Sequence, residues 1–222
     1  MTNLVRIFMK YKYPQSIWGD CVYDIINRNK IEQHFKHIYD VPGGAGFMSN
    51  NLRSRVCKDF TVIDIDESKV QFANKYFRSA NNPTCVTGDL FKTVFEYNSL
   101  WLFVNSFYLL LNTSEFMKLN SGKINYIIGI FPYIHSKNYL HFKTKIDPHL
   151  NINEMGKDDT LSFFKQQGFD LIDSEDVIKF NYLTYSNNRY FNFVLSFLFT
   201  LYEKIIRPKG SIYWVGLFAK SK

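Results

Sequence analysis

Cysteine is scarce in this 222-residue chain: Cys21, Cys57 and Cys85 are an odd number, and no two of them form a C-x-x-C pair. That excludes a disulfide framework and a zinc site of the usual spacing, and it agrees with a reducing, cytoplasmic setting. Long apolar runs are lacking as well. The longest, FNFVLSFLFTLY at 191–202, falls short of the ~20 residues that a membrane span needs. The N-terminus shows no apolar core of signal-peptide length followed by small residues, so a soluble protein is expected.

Basic blocks are missing too. Lysine and arginine outnumber the acids 27 to 20, a formal charge of +7, yet only RPKG at 207–210 brings basic residues together. An excess of this size attracts anionic substrates, membrane surfaces or nucleic acid at long range, although it also serves plain solubility. Without a Lys/Arg-rich block, nucleic acid has no support in the sequence. What is present is a 46% hydrophobic chain, long enough for one well-packed α/β domain with excursions and too short for two.

Apolar spacing assigns the elements. Ile17, Trp18, Cys21, Val22, Ile25 and Ile26 recur at helical intervals behind Ser16, a residue suited to an N-cap. HIYDV (37–41) reads as a short strand, a glycine-rich stretch follows, and FMSNNLRSR opens a helix. FTVIDID (60–66) is a β-branched strand ending in acids, and ESKVQFANKYF after it keeps helical period through Val70, Ala73 and Phe77. TCVTGDL (84–90), SLWLFVNS (99–106) and INYIIGIF (124–131) are the next strands. Strands apolar throughout belong in the middle of a parallel sheet covered on both faces.

Residues 132–157 show no period and are expected to form a long functional or mobile loop. DDTLSFFKQQ then begins with acids and stops at Gly168, as helix ends prefer. FDLIDSEDVIKF (169–180) and SIYWVGLFAK (211–220) are the last strands, separated by a helix over 190–206. The alternation predicts an α/β fold: a doubly wound, mostly parallel seven-stranded sheet with helices on both faces, an N-terminal helical extension and a late helical insertion.

In open α/β sheets, ligands settle beyond the carboxyl ends of the strands. The first three strands here end at Asp40, Asp64 and Asp89, and the first runs into DVPGGAGF at 40–47. Gly43, Gly44 and Gly46 carry no Cβ, so the backbone can turn tightly and a ligand can come close. An acid after the second strand is placed where ribose hydroxyls lie, and its carboxylate can accept both hydrogen bonds. Asp64 is preferred to Asp66 for this. A single acid at a strand end usually caps the next helix; three of them beside a glycine loop argue for a site.

Taken together, DVPGGAGF, Asp64 in VIDIDES 18 residues after Gly46, and Asp89 in VTGDLF resemble the class I methyltransferases that use S-adenosylmethionine. That Rossmann-like family opens on a D-x-G-x-G-x-G motif, and Pro42 stands here in place of its first glycine. The resemblance covers residues 37–131 well, and GFDLID and WVGLFAK loosely. It implies S-adenosylmethionine as cofactor, with Asp40, Pro42, Gly43, Gly44 and Gly46 near its methionine part. Asp64, followed by Ile65, falls near the ribose, Asp89 and Leu90 near the adenine, and Asn105 and Ser106 in FVNSFYLL on the border between cofactor and acceptor. Residues 1–36 become a helical lid, 37–131 the cofactor-binding half and 132–222 the substrate-side half.

A nicotinamide-dependent dehydrogenase is the enzymatic rival, because GAGFMS from Gly44 nearly satisfies the start of G-x-G-x-x-G. Its pyrophosphate would lie at the helix N-terminus close to Asp40, where like charges repel. The ammonium and sulfonium of S-adenosylmethionine are cations that a carboxylate attracts. A methyltransferase-like scaffold that binds without turnover is the alternative outside the enzymes.

Methyl transfer from a sulfonium is an in-line displacement that gains mainly from aligning the nucleophile, with a base required only where the acceptor keeps its proton. The expected acceptor is the oxygen or nitrogen of a small molecule held beside the fourth-strand end. His135 in FPYIHSKNYLH is the candidate base, since imidazole titrates near neutrality; a merely solvated histidine is the alternative. Tyr13, Trp18, Tyr108 and Tyr133 are candidate acceptor contacts. Tyr108 closes NSFY (105–108), which is similar to the N-P-P-Y motif of amino-directed methyltransferases without its prolines.

His135, His141, Asp147 and His149 lack the i, i+4 spacing that fixes a metal, so no metal is expected. The 190–206 helix carries a polar stripe through Asn192, Ser196 and Thr200. Either its aromatic face packs on the sheet, or it is a lid or interfacial helix that serves a hydrophobic or lipid-linked acceptor through peripheral membrane contact.

Overall fold

Strand order reverses at the first strand of the chain. In the computed structural model, which describes residues 15–76, 83–104, 106–107, 113–134, 155–177, 189–206 and 212–221, seven strands form one sheet. They are β1 (His37–Asp40), β2 (Asp59–Asp64), β3 (Thr84–Thr87), β4 (Ser99–Val104), β5 (Ile124–Pro132), β6 (Phe169–Val177) and β7 (Tyr213–Lys220). Their order is β3-β2-β1-β4-β5-β7-β6. The chain runs outward from β1 to β3 and then returns to pair β4 on the free side of β1, which opens a crevice at the carboxyl ends of β1 and β4.

Strands β1 to β5 are mutually parallel, as the alternating pattern predicts, but β7 runs antiparallel to both β5 and β6. The sheet is therefore mixed. Val177 ends β6 opposite Tyr213, which begins β7, so the connection leaves and returns at one edge of the sheet. A helix in such a connection is an excursion and not a crossover, and this is why the presence of a helix misleads about strand direction.

Six helices and a 3-10 turn at Ile31–His34 complete the described elements: α1 (Gln15–Arg28), α2 (Phe47–Arg53), α3 (Glu67–Tyr76), α4 (Thr113–Asn120), α5 (Lys157–Gln166) and α6 (Arg189–Ile206). Helix α1 starts one residue before its expected cap, and Ser16 is buried inside the first turn; Pro14 stands directly upstream, a position that suits a helix start. Several strands stop sooner than their apolar runs suggest, at Asp64, Thr87 and Val104. Beyond those ends the backbone donors build loops: Gly43 N–H donates to the Ile63 carbonyl at 2.9 Å and Gly88 N–H to that of Asp64 at 3.0 Å. Among the described residues, no helix is long and apolar enough to cross a membrane.

Alternation along the strands divides the apolar residues between two cores. On one face Ile38, Leu100, Leu102, Ile130 and Val215 pack against Val22, Ile25 and Leu52 of α1 and α2, and Val62 and Cys85 meet Val70 and Ala73 of α3. The other face is aromatic: Trp101, Phe103, Phe131, Trp214 and Phe218 meet Phe116 of α4 and Phe164 of α5. Phe131 stacks on Trp214 with centroids 4.5 Å apart, and Phe164 lies 4.3 Å from Phe218.

Candidate functional site

Asp40 closes β1 with its side chain turned toward α2. It is 1% exposed, and Ser49 Oγ of α2 donates to its Oδ2 at 2.5 Å. Its Oδ1 is buried and finds no hydrogen-bond partner among the described residues. Burial pushes the carboxyl up from its ordinary value to about 7; the Ser49 bond opposes the shift and the neighbouring Asp64 charge adds to it. Sequence reasoning missed Ser49, because a serine in the first turn of a helix is unremarkable until its partner is known.

The turn after Asp40 is built around close approach. The Val41–Pro42 peptide is cis. A Cβ on Gly43 would stand 2.5 Å from Val62 Cγ1 and 2.8 Å from the Asp40 carbonyl oxygen, so no larger residue fits. Gly44 has φ +57°, a left-handed conformation that costs other residues about 1–2 kcal/mol, and Gly46 heads α2 at φ 64°.

Gly44 N–H donates to Asp64 Oδ2 at 2.7 Å, and Asp66 N–H donates to Asp64 Oδ1 at 2.9 Å. Asp64, 5% exposed, thus ties the glycine turn to the end of β2. Asp66 does something different: its Oδ1 accepts the Ser68 N–H at 3.0 Å and the Ser68 hydroxyl at 2.6 Å, capping α3. The capping alternative belongs to Asp66, while Asp64 faces the glycines.

The remaining candidates spread along the same edge. Asp89 accepts the Phe91 N–H at 2.9 Å and pairs with Lys92 at 3.2 Å, so it organises a local turn. Leu90 is buried with Phe95 and Trp101 in the aromatic core, whereas Ile65 is 77% exposed. Ser106 follows β4, and its buried Oγ has no partner among the described residues. The Tyr133 hydroxyl donates to Asp176 Oδ1 at 2.6 Å, joining the ends of β5 and β6; burial and then the Asp176 carboxylate push its ionisation up. Tyr13, Asn105, Tyr108 and His135 lie outside the described residues, as do His141, Asp147 and His149. Among the described residues, no three His, Cys, Asp or Glu side chains group as metal ligands.

Trp18 of α1 is buried edge-on to Tyr213, with centroids 5.2 Å apart. Tyr213 begins β7 opposite Pro132, which ends β5, so Trp18 stands at the carboxyl edge of the parallel strands. Buried polar groups in folded proteins nearly always have partners. Trp18 Nε1, Gln15 Oε1, Asp40 Oδ1 and Ser106 Oγ have none among the described residues, and all four belong to this edge or to the first turn of α1. They comprise one donor, two acceptors and a hydroxyl that can be either.

No protein-family model and no curated protein matches the sequence. Solved structures do resemble it. Magnesium protoporphyrin IX methyltransferase from Synechocystis PCC 6803 with bound SAH has a TM-score of 0.61 at 14% identity, over 93% of this chain and 83% of that one. An S-adenosylmethionine-dependent methyltransferase from Clostridium acetobutylicum ATCC 824 has a TM-score of 0.61 at 13% identity, over 92% and 91%. The cyclase SpnF has a TM-score of 0.60 at 12% identity, over 91% and 81%. Likenesses at such identity carry the fold: the chain has the Rossmann-like fold of the class I methyltransferases. Since a cyclase is among the similar structures, activity must be argued from the site.

Proposed function

We propose that the protein binds S-adenosylmethionine and transfers its methyl group to the oxygen or nitrogen of a small-molecule acceptor. One observation carries this reading: a buried carboxyl, Asp40, with one oxygen unbonded, beside a glycine turn that leaves the backbone open to a ligand. Burial disfavours the ionised form of Asp40, so a cation placed against it gains both the free lone pairs and the restored charge. The ammonium and sulfonium of the cofactor suit that position. A pyrophosphate does not, with Asp64 holding the same turn from the other side.

In this reading Asp40 and the Pro42–Gly46 backbone hold the methionyl end. Each Asp64 oxygen keeps a lone pair beyond its bond to the turn, available to a ribose hydroxyl. Ile65 and Asp89 flank the adenine with Leu90 behind them, and Asn105 and Ser106 border the acceptor. When bound, the cofactor supplies an electrophilic methyl group. The chain's part is alignment and exclusion of water, with His135 as base for acceptors that retain a proton and Tyr13, Trp18, Tyr108 and Tyr133 around the acceptor. Residues 1–36 cover the site, 37–131 hold the cofactor and 132–222 receive a hydrophobic acceptor. The three free cysteines suit a reducing cytoplasm.

Calorimetry against S-adenosylmethionine, with NADH as control, tests the reading. Below pH 7 binding should release a proton as Asp40 ionises, so the heat should vary with the ionisation enthalpy of the buffer; Asp40→Asn should abolish that release. Binding of NADH alone overturns the proposal. Tight binding of S-adenosylmethionine without labelled product across acceptor panels points to a scaffold.

A further inference from the structure

A helix packed on a sheet ordinarily buries its apolar stripe and turns its polar stripe to water. Helix α6 does the reverse. Ser196, Thr200 and Glu203 are 3%, 3% and 8% exposed, while Val194, Leu198, Leu201 and Ile205 are 49%, 49%, 43% and 66% exposed. Those four follow i, i+4, i+7, i+11 spacing and line one side of the helix. Phe191, Phe197, Tyr202 and Ile206 are exposed beside them, so large apolar side chains cover about half of the circumference. Among the described aromatic side chains of α6, Phe199 packs against the core beside β7, as expected of an aromatic face, while Phe191, Phe197 and Tyr202 are turned outward.

An ion pair joins α6 to α1, and a side-chain bond lies within α6 itself. Lys204 Nζ pairs with Asp20 Oδ2 of α1 at 2.5 Å, and Asp20 also binds Arg55 just beyond α2. Thr200 Oγ1 donates to the Ser196 carbonyl at 2.8 Å. The Lys204 pair ties α6 to α1, and the Thr200 bond, made to the helix's own backbone, satisfies part of the buried polar stripe. An exposed apolar surface of this extent marks an interaction site and not scattered surface residues.

We propose that α6 docks the protein on an anionic lipid bilayer surface, its apolar side entering the headgroup boundary. Charge selects this occupant. With Lys204 paired to Asp20, residues 189–209 still carry Arg189, Arg207 and Lys209 against a single acid, Glu203, whose side chain is on the buried side of the helix. A convex apolar half-cylinder with basic residues at its ends is the form of a helix lying in a membrane interface. Pairing with a second copy would instead oppose two chains that each carry +7.

Position adds meaning to the contact. The connection that contains α6 leaves from Val177 and returns to Tyr213, at the edge of the sheet where β1 ends in Asp40. Docking through α6 thus brings the candidate site to the lipid surface. The docking does not depend on methyl transfer; that the acceptor is drawn from the lipid phase does rest on that reading.

Cosedimentation of the full chain with vesicles of equal parts phosphatidylglycerol and phosphatidylcholine tests the docking. Wild type should pellet with these vesicles and about tenfold less with phosphatidylcholine alone, and binding should weaken as salt rises. Leu198→Glu with Leu201→Glu should lower binding about tenfold or more, with the thermal midpoint nearly unchanged because both sites are exposed. Trp18, Trp101 and Trp214 are all buried, so Leu198→Trp adds an exposed indole whose emission should shift to the blue on vesicles. Failure to pellet, binding that survives the double glutamate variant, or a solution dimer that the variant splits would each overturn the proposal. Calorimetry with S-adenosylmethionine on the same samples is independent of these outcomes, so loss of vesicle binding with cofactor binding intact refutes the docking alone.

Discussion

The two faces of the sheet are finished differently. Against α4 and α5 the core is closed by interlocking rings, with Trp101, Phe116, Phe131, Phe164, Trp214 and Phe218 all buried. Against α1 to α3 the core is mainly aliphatic, and at its carboxyl edge Gln15, Trp18 and Asp40 hold buried polar atoms without partners among the described residues. The aromatic face is filled by rings, whereas the carboxyl edge of the aliphatic face keeps buried polar atoms that have no partner among the described residues.

The largest effect should come from the aromatic face. Phe164→Ala removes a fully buried ring from contact with Phe107, Phe131 and Phe218 and should cost about 3–5 kcal/mol in urea unfolding. Cofactor affinity of the remaining folded protein should stay near wild type. If this variant lost affinity but little stability, the division of labour between the faces would fail.

On the other face, Asp64→Ala should weaken S-adenosylmethionine binding by ~1.5–3 kcal/mol, the range for hydrogen bonds to a charged group. Calorimetry that returned an unchanged dissociation constant would move the ribose site elsewhere. Ser106→Ala sharpens the contrast further. Because Ser106 Oγ is buried without a partner among the described residues, its removal should leave the unliganded protein equally stable or up to about 1 kcal/mol more stable. A clear loss of stability in thermal melts would show that the hydroxyl is already satisfied.

The last test is a pH dependence assigned to Asp40. Its carboxyl is raised from 3.8 to about 7 in the folded protein, chiefly by burial. Between those values the unfolded chain has released the proton and the folded chain retains it. Stability should therefore fall as pH rises from about 4 to about 7 and level off above, and Asp40→Asn should flatten that slope. Denaturation midpoints across this range, wild type minus variant, isolate the contribution; parallel curves would remove it.

Strands β1 to β5 were legible because parallel strands buried on both faces need unbroken apolar runs such as SLWLFV and INYIIGIF. The glycine turn was legible because close backbone approach at Gly43 and positive φ at Gly44 exclude other residues, which leaves a mark in composition. Ser49 and Gln15 left no such mark. A buried hydroxyl or amide near a site looks like any other serine or glutamine until the chain is folded. That Leu90 joins the rings of the aromatic core was not legible either, since an apolar residue after a strand suits several roles.

By itself, then, the sequence determined the order of the elements, the turn after β1, and the acids that end β1 and β2, because each depends on local backbone geometry or on periodic burial. Tertiary structure alone decided the antiparallel course of β7 and the inverted seating of α6. Strand direction there depends on which edge the connection returns to. The seating of α6 brings Lys204 to Asp20, residues 184 positions apart in the chain, and a pattern of apolar spacing carries no information about such a partner.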